Sequence, residues 1–156
     1  MKLKEMRVNK GLTQIQASQL VGIPLRTYKN YENIEEKEVT IKYNYIMEKL
    51  DKFGYIDEEN GILSVEKIIE ECRKVFVEFE IEYGYLFGSY AKGEALENSD
   101  VDLLISSKVT GLDFFGLVEK IRMNLHKKVD LILVSQLTNN LNLLNEILKD
   151  GIKIYG

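Results

Sequence analysis

The sequence predicts an α+β protein in which an all-α bundle is followed by an α/β domain with a small mixed sheet. In residues 1–50, apolar side chains recur at helical spacing between glycines, and no alternating strand pattern is present. From residue 64 onward, short aliphatic runs alternate with longer amphipathic stretches, as in a sheet covered by helices. The charge divides in the same way, because residues 1–50 carry nine Lys/Arg and six Asp/Glu in a chain of net charge -4. We therefore expect two domains with different partners.

Composition limits the classes of protein and of metal site. Hydrophobic residues make up 45% and charged residues 29% of the 156, a balance typical of a globular protein and not of a disordered one. No apolar run is long enough to span a membrane, so we expect a cytoplasmic protein without membrane contact. The single cysteine, Cys72, and the single histidine, His126, exclude a disulfide framework and a cysteine-built zinc site. Any bound metal is therefore expected to have oxygen ligands.

The N-terminal half has the parts of a helix-turn-helix. Thr13 is a suitable N-cap for a helix over 13–21, Gly22 makes the turn, and Pro24 opens a second helix over 24–31. These lengths fit a motif whose second helix enters the DNA major groove. We predict a DNA-binding domain over 1–50, a glycine-containing acidic linker over 51–63 and a second domain over 64–156.

The second domain is predicted to alternate helices and strands. An amphipathic helix begins at Ser64, and a compact aromatic run ends at Gly88-Ser89. The remaining expected elements are a short helix over 90–95, strands over 83–87, 101–105, 129–134 and 152–155, and helices over 112–126 and 141–148.

The segment from Gly88 to Asp102 carries the strongest chemical signal. Gly88 and Ser89 end a strand, where small residues let main-chain amides approach a phosphate. Asp100 and Asp102 alternate along the next strand, so both side chains point to one face. Asp130 opens a neighbouring strand that brings a third carboxylate beside this pair. Clustered carboxylates repel each other unless a cation holds them, and Mg²⁺ bound with substrate phosphates is the usual solution.

These residues resemble the minimal nucleotidyltransferase (MNT) family of the DNA polymerase β superfamily. The family pattern is Gly-Ser, ten residues and Asp-x-Asp, and residues 90–99 form that ten-residue spacer. The resemblance implies transfer of a nucleoside monophosphate from a nucleoside triphosphate, with two Mg²⁺ ions and release of pyrophosphate, and we expect ATP as the substrate. Asp100, Asp102 and Asp130 would be the metal ligands and catalytic residues, with Asp130 also activating the attacking hydroxyl. The implied nucleotide-binding residues are Gly88, Ser89, Lys92 and Ser99, although Tyr90 and Lys92 stand where many relatives have Arg.

The first half is similar to the Xre/Cro-repressor family. The similarity rests on the Thr-Gln helix start, the small residue Ala17, the turn, and Glu32 late in the second helix. It implies that Gln14 contacts a phosphate and that bases or backbone are contacted by Leu25, Arg26, Lys29 and Asn30. Acidic residues after Glu32 weaken the electrostatic attraction to DNA. A bundle that serves only protein docking or dimerisation is the alternative.

Two functions are compatible with these resemblances. In the first, the chain is the antitoxin of a HEPN/MNT toxin–antitoxin system. It transfers AMP from ATP to a hydroxyl, a tyrosine, of its cognate HEPN-family toxin and represses its own operon by binding the DNA operator through residues 1–50. In the second, it is a nucleotidyltransferase that modifies a small molecule such as an aminoglycoside-like antibiotic. DNA binding favours the first and requires a homodimer or a hetero-oligomer with the partner.

Overall fold

The computed structural model describes all 156 residues, and these divide into two compact units, Met1–Tyr55 and Ile56–Gly156. No helix of the chain combines the length and the apolar character needed to cross a bilayer. The first unit is entirely helical. Its elements are α1 (Leu3–Asn9), α2 (Gln14–Val21), α3 (Leu25–Asn33), a short 3₁₀ helix (Glu35–Val39) and α4 (Ile41–Lys52).

The turn between α2 and α3 follows directly from its residues. The Thr13 side chain accepts a hydrogen bond from the Gln16 main-chain N–H and so caps α2. Gly22 ends α2 in the left-handed region, with φ +72°, a conformation that glycine adopts without steric cost. Pro24 then occupies the N-cap of α3. The predicted helix-turn-helix is therefore present in the first unit.

Fewer apolar side chains are buried in the core of the first unit than the sequence pattern indicates. Ile15 and Leu20 were expected on the buried face of α2, but they are 55% and 40% exposed, so that expectation was wrong. The small side chains of α2 are buried instead, because they let neighbouring helices approach closely. The buried apolar residues of this unit are Leu3, Ala17, Val21, Tyr28, Tyr43, Ile46 and Leu50.

The second unit is a four-stranded mixed sheet with helices on its faces. Its elements are α5 (Val65–Phe76), β1 (Ile81–Phe87), α6 (Gly88–Lys92), β2 (Val101–Ser107), α7 (Gly111–Leu125), β3 (Val129–Leu133), a 3₁₀ turn (Val134–Leu137), α8 (Leu141–Asp150) and β4 (Ile152–Tyr155). The strand order is β3-β2-β1-β4, in which only β2 and β3 are parallel. The predicted α+β class and the mixed sheet are confirmed.

The two faces of the sheet are covered differently. Side chains alternate between faces along a strand, so Leu103 and Ile105 of β2 enter the main core with α5 and α7. Leu104 lies on the opposite face, in a smaller cluster with Phe87 and Ile147 of α8. Asp102 shares the parity of Leu104 and therefore lies on the α8 face. This face is the less covered one and is open to a ligand.

Some predicted bounds and packing differ from the structure. The short helix expected over 90–95 begins at Gly88 and ends at Lys92, where Gly93 takes a left-handed conformation. Val134, expected at the end of a strand, begins a 3₁₀ turn. Phe115, expected in the core, is 69% exposed on α7. The structure separates the units between Tyr55 and Ile56, whereas the linker over 51–63 and the domain limits at 50 and 64 stay predictions.

Candidate active site

The carboxylates of the Asp-x-Asp motif and of Asp130 lie at one end of the β2–β3 pair. Asp102 on β2 is the register partner of Asp130 on β3, and Asp100 immediately precedes β2. In a parallel pair, side chains of register partners stand on the same face of the sheet. The structure therefore brings Asp102 and Asp130 together on the α8 face, with Asp102 half-buried and the other two carboxylates exposed.

Gly88 is required by its position against Asp102. Phe87 pairs with Asp102 across β1 and β2, so the chain leaves β1 beside this carboxylate. Gly88 has φ +71°, and a Cβ atom there would collide with a carboxylate oxygen of Asp102 and lie 2.9 Å from its Cγ. Any side chain at position 88 would push the carboxylate out of place. The glycine of the Gly-Ser motif thus makes room for the Asp102 carboxylate.

The electrostatics of Asp102 are those of an uncompensated acid. Burial, followed by the charges of Asp130, Asp100 and Glu146, raises the pKa of the Asp102 carboxyl to about 6. The carboxylates of the three aspartates form no ion pair and accept no hydrogen bond from a protein donor, although the main chains of Asp102 and Asp130 are paired within the sheet. The cluster therefore attracts positive charge.

This arrangement fits a divalent cation that is shared with a nucleotide. No three acidic side chains of the chain lie close enough together to hold a metal ion without other ligands. Mg²⁺, however, is usually bound by one or two carboxylates together with substrate phosphates and water. A half-buried carboxylate without a donor, next to a second one, offers such a partial ligand set.

The other predicted nucleotide-binding residues surround this end of the sheet. Ser89 is half-buried in the first turn of α6. Lys92 on α6 pairs with Glu146 on α8, with 2.9 Å between Nζ and Oε1, so its ammonium is engaged by an acid rather than free. The Ser99 hydroxyl accepts a hydrogen bond from the Leu96 main-chain N–H at 2.8 Å and closes a turn before Asp100.

Tyr90 on α6 has a packing role. Its ring is buried in the main core, and its hydroxyl accepts a hydrogen bond from the Leu63 main-chain N–H at 3.5 Å. It therefore anchors the segment before α5 to α6. A basic side chain toward the triphosphate can come only from Lys92 among the residues of α6.

An apolar groove lies farther along the same face of the sheet, and none of the three aspartates lines it. Leu104 lies two residues beyond Asp102 on β2 and forms part of its floor. The groove has a volume of about 480 Å³. Its other lining residues include Tyr83, Tyr85, Val134, Leu144 and Leu148. An apolar segment of an acceptor molecule could lie there beside the site.

In the first unit, the predicted DNA-contacting residues divide into two groups. Arg26, Lys29 and Asn30 are exposed on α3, as base or phosphate contacts require, and Leu25 is half-buried. Gln14, also half-buried, instead donates a hydrogen bond from Nε2 to the Glu32 carboxylate at 3.3 Å. An exchange of partner would therefore be needed before Gln14 could contact a phosphate.

Glu32 belongs to a buried ion pair that the sequence analysis did not identify. Arg7 donates from Nε at 2.9 Å and from Nη2 at 2.8 Å to its two oxygens. Burial alone would raise the pKa of the Glu32 carboxyl, but hydrogen bonding and charge from Arg7, helped by Gln14, lower it below its ordinary value. Two further residues were also missed, Glu146 and the buried Lys127. Their partners lie far away in sequence, so no local pattern indicates them.

Comparisons with known proteins agree with this division. Residues 66–156 match the model of the Polymerase beta, Nucleotidyltransferase family, and residues 3–42 match a helix-turn-helix model. Protein adenylyltransferase MntA of Thermococcus cleftensis is 36% identical over 88 residues, which cover 55% of this chain and 84% of that protein. A relative from Methanocaldococcus jannaschii, assigned the same activity, is 35% identical over 71 residues, 44% of this chain and 83% of its own.

One similar solved structure is described as a toxin–antitoxin with AMP-PNP. It is 23% identical, with a TM-score of 0.49, and the match covers 56% of this chain and 73% of that one. The resemblance of the two halves to a helix-turn-helix and to a nucleotidyltransferase is confirmed by the family models.

Proposed function

Because the chain belongs to the Polymerase beta, Nucleotidyltransferase family, we propose that it transfers AMP from Mg–ATP to a hydroxyl of a partner protein. The partner is a HEPN-family toxin, and this chain is its antitoxin. The observation that carries the proposal is the pairing of Asp102 with Asp130 on one face of the sheet, where Gly88 packs against Asp102 and no protein donor reaches either carboxylate. Similarity to protein adenylyltransferase MntA supports a protein acceptor.

The three carboxylates divide the chemistry between them. Asp100, Asp102 and Asp130 would hold two Mg²⁺ ions, and the bound ions would neutralise negative charge on the triphosphate. The acceptor oxygen forms a bond to the α-phosphorus while the bond from that phosphorus to the bridging oxygen breaks. Pyrophosphate leaves, and Asp130, which is exposed, takes the proton of the acceptor hydroxyl.

Lys92 and the groove support the two substrates. When a triphosphate enters, the Lys92 ammonium exchanges Glu146 for phosphate oxygens, which are stronger acceptors in this cluster. An apolar segment of the toxin lies in the groove beside Tyr85 and Leu104 and directs a tyrosine hydroxyl toward Asp130. In this proposal the toxin is a ribonuclease. AMP on that tyrosine adds bulk, which blocks access of RNA, and negative charge, which repels RNA phosphates from the toxin.

The helix-turn-helix binds the operator of the same operon. Arg26 and Asn30 can form bidentate hydrogen bonds with guanine and adenine, and Lys29 contacts phosphate. One helix contacts few base pairs, so a homodimer or a complex with the toxin presents two such helices to half-sites about 34 Å apart. The acidic 3₁₀ helix Glu35–Val39 reduces the attraction to phosphate, which increases the dependence on that second helix.

Mass spectrometry of the partner tests the enzymatic claim. A HEPN-family protein encoded beside this gene, where one is found, is co-expressed and purified, and it is then incubated with ATP, Mg²⁺ and this protein. We expect one or more AMP additions on tyrosine with the wild type and none with Asp130→Asn, while Lys108→Met, an exposed change away from the site, behaves as the wild type. Neutralisation of the toxin without AMP addition would contradict enzymatic action. AMP addition to a small molecule instead of the toxin would establish the alternative function.

An electrophoretic shift of the upstream DNA tests the repressor claim. We expect Arg26→Ala to weaken binding by about 1–3 kcal/mol and to relax sequence choice, since it removes a base contact. Lys29→Ala is expected to weaken binding to all sequences alike and to reduce its salt dependence. A protein that fails to bind this DNA both alone and with its partner would contradict the repressor role.

A further inference from the structure

A buried lysine ties two distant segments of the second unit together. Lys127 is 0% exposed, and its Nζ donates hydrogen bonds to the main-chain carbonyl oxygens of Asn60, at 3.1 Å, and Glu97. It forms no ion pair, and burial lowers the pKa of its ammonium, although the charges of Asp57, Glu97 and Glu59 act in the opposite direction. An apolar side chain would fill this place without the cost of burying a charge. The lysine therefore does more than fill space.

The Glu97 carbonyl lies in the loop that delivers Asp100 to the site. Asp100 is exposed and accepts no hydrogen bond from the protein, so its own side chain does not hold it in place. The loop is instead fixed on both sides of Asp100. Lys127 Nζ holds the Glu97 carbonyl before it, and the Val101 main-chain N–H donates to the Lys128 carbonyl, at 2.9 Å, after it. Two adjacent residues, 127 and 128, thus bracket Asp100.

The same short segment also carries Asp130. Lys128 is followed by Val129, which begins β3 as the register partner of Val101, and Asp130 comes next. Residues 127–130 therefore hold the loop of one carboxylate and supply another. The loop before Asp100 is also shaped by the Leu96–Ser99 turn and by the Gly61 main-chain N–H, which donates to Glu97 Oε1 at 3.2 Å. Among these contacts, the Lys127 hydrogen bond to the Glu97 carbonyl is the one that ties the loop to the segment carrying Asp130, so we expect the distance between Asp100 and Asp130 to depend on it.

We propose that Lys127 is a positioning residue for nucleotidyl transfer, which holds Asp100 at the place where it binds the Mg–nucleotide. The proposal rests on the proposed function, since it assigns Lys127 a role toward that same site. Lys127 does not touch the nucleotide. It acts through the loop of residues 97–100, so its loss weakens Mg–nucleotide binding without removing any ligand.

Lys127→Met tests this role, because methionine keeps much of the side-chain volume and removes the donors. Calorimetry with a non-hydrolysable ATP analogue and Mg²⁺, well below the melting temperature, gives the Kd. We expect it to rise at least tenfold in Lys127→Met, with KM for Mg–ATP rising more than kcat falls and with a higher Mg²⁺ requirement. Lys108→Met is the matched control at an exposed lysine and is expected to bind as the wild type. A lysine that serves only stability would lower the melting temperature and leave the Kd unchanged.

A replacement variant and the wild-type titration distinguish failure of the role of Lys127 from failure of the proposed function. If circular dichroism shows Lys127→Met unfolded, Lys127→Leu, which also lacks the N–H donors, replaces it under the same criterion. A folded variant whose Kd lies within twofold of the wild type overturns the role of Lys127 and leaves the proposed function intact. A wild-type protein that binds no Mg–nucleotide contradicts the proposed function itself and, with it, the role of Lys127.

Discussion

The two units of the chain treat a buried acid in opposite ways. In the helical unit, the Glu32 side chain is 1% exposed, and Arg7 and Gln14 satisfy its oxygens. In the sheet unit, half-buried Asp102 stands beside Asp130 with no protein donor, and its pKa rises to about 6. The surroundings of Glu32 favour its ionised form, whereas those of Asp102 disfavour the ionised form.

This difference separates a structural charge from a functional one. The Arg7–Glu32 pair joins α1 to α3, and its bonds are complete within the protein. The carboxylates of the Asp102–Asp130 pair have no such partner within the protein, and in the proposed function a cation supplies it. Strongly perturbed acids without a protein partner are typical of functional sites. The unpaired, perturbed acid in the second unit supports the proposal that the nucleotide binds there, whereas Glu32, whose oxygens are satisfied within the protein, stabilises the first unit.

The largest effect is expected where the functional pair is broken. Asp130→Asn removes both a cation ligand and the acceptor of the hydroxyl proton, so the rate of AMP transfer should fall about 10⁴-fold, or about 5.5 kcal/mol. The melting temperature should not fall, because the change removes a repulsive charge beside Asp102. Single-turnover transfer from radiolabelled ATP and a thermal melt measure the two quantities. A variant that is unstable and inactive would place Asp130 among the structural charges.

Breaking the structural pair should have the reverse effect. Glu32→Ala leaves the Arg7 guanidinium buried without its partner, which should destabilise the helical unit by about 3–5 kcal/mol. Urea denaturation followed by circular dichroism measures this loss. AMP transfer should persist in the same preparation, and DNA binding should be lost. Unchanged stability would contradict the structural role of the pair.

The stability of the metal-free protein should depend on pH through the raised pKa of Asp102. The folded-state pKa of Asp102, about 6, lies above the ordinary value of 3.8, so the unfolded chain ionises first as pH rises. Asp102 therefore lowers the stability of the sheet unit progressively between about pH 4 and pH 6, and the loss is complete above that window. Melting temperatures in EDTA should show this fall for the wild type and not for Asp102→Asn. Equal pH profiles would contradict the raised pKa.

The smallest effect on stability is expected for Gln14, which donates one hydrogen bond to the Arg7–Glu32 pair. Gln14→Ala removes one hydrogen bond to Glu32 but leaves both bonds from Arg7, so it should cost about 0.5–1.5 kcal/mol of stability. Urea denaturation beside Glu32→Ala compares the two losses directly. If Gln14→Ala is as damaging as Glu32→Ala, the Arg7 bonds are not what stabilises Glu32.

Local features of this chain were predictable from sequence, and distant contacts were not. The four strands and the Asp-x-Asp spacing follow from periodicity and from a contiguous motif, and so does the turn at Gly22. Lys127 was not identified, because its partners lie 30 and 67 residues away and are main-chain carbonyls, which every residue has. Glu146 looks like an ordinary helix-surface acid until the fold brings α8 beside Lys92. Ile15 and Phe115 were expected in the core because an apolar pattern does not show how much of a helix its neighbours cover.

The most direct test of the account is a calorimetric titration of ATP into the protein with and without Mg²⁺. For the wild type and for Glu32→Gln, which keeps the side-chain shape in the other unit, we expect binding only when Mg²⁺ is present. For Asp102→Asn, which circular dichroism should show to be folded, we expect no Mg²⁺-dependent binding. Equal affinity of the wild type and Asp102→Asn for Mg–ATP would contradict the claim that the Asp102–Asp130 pair forms the nucleotide site.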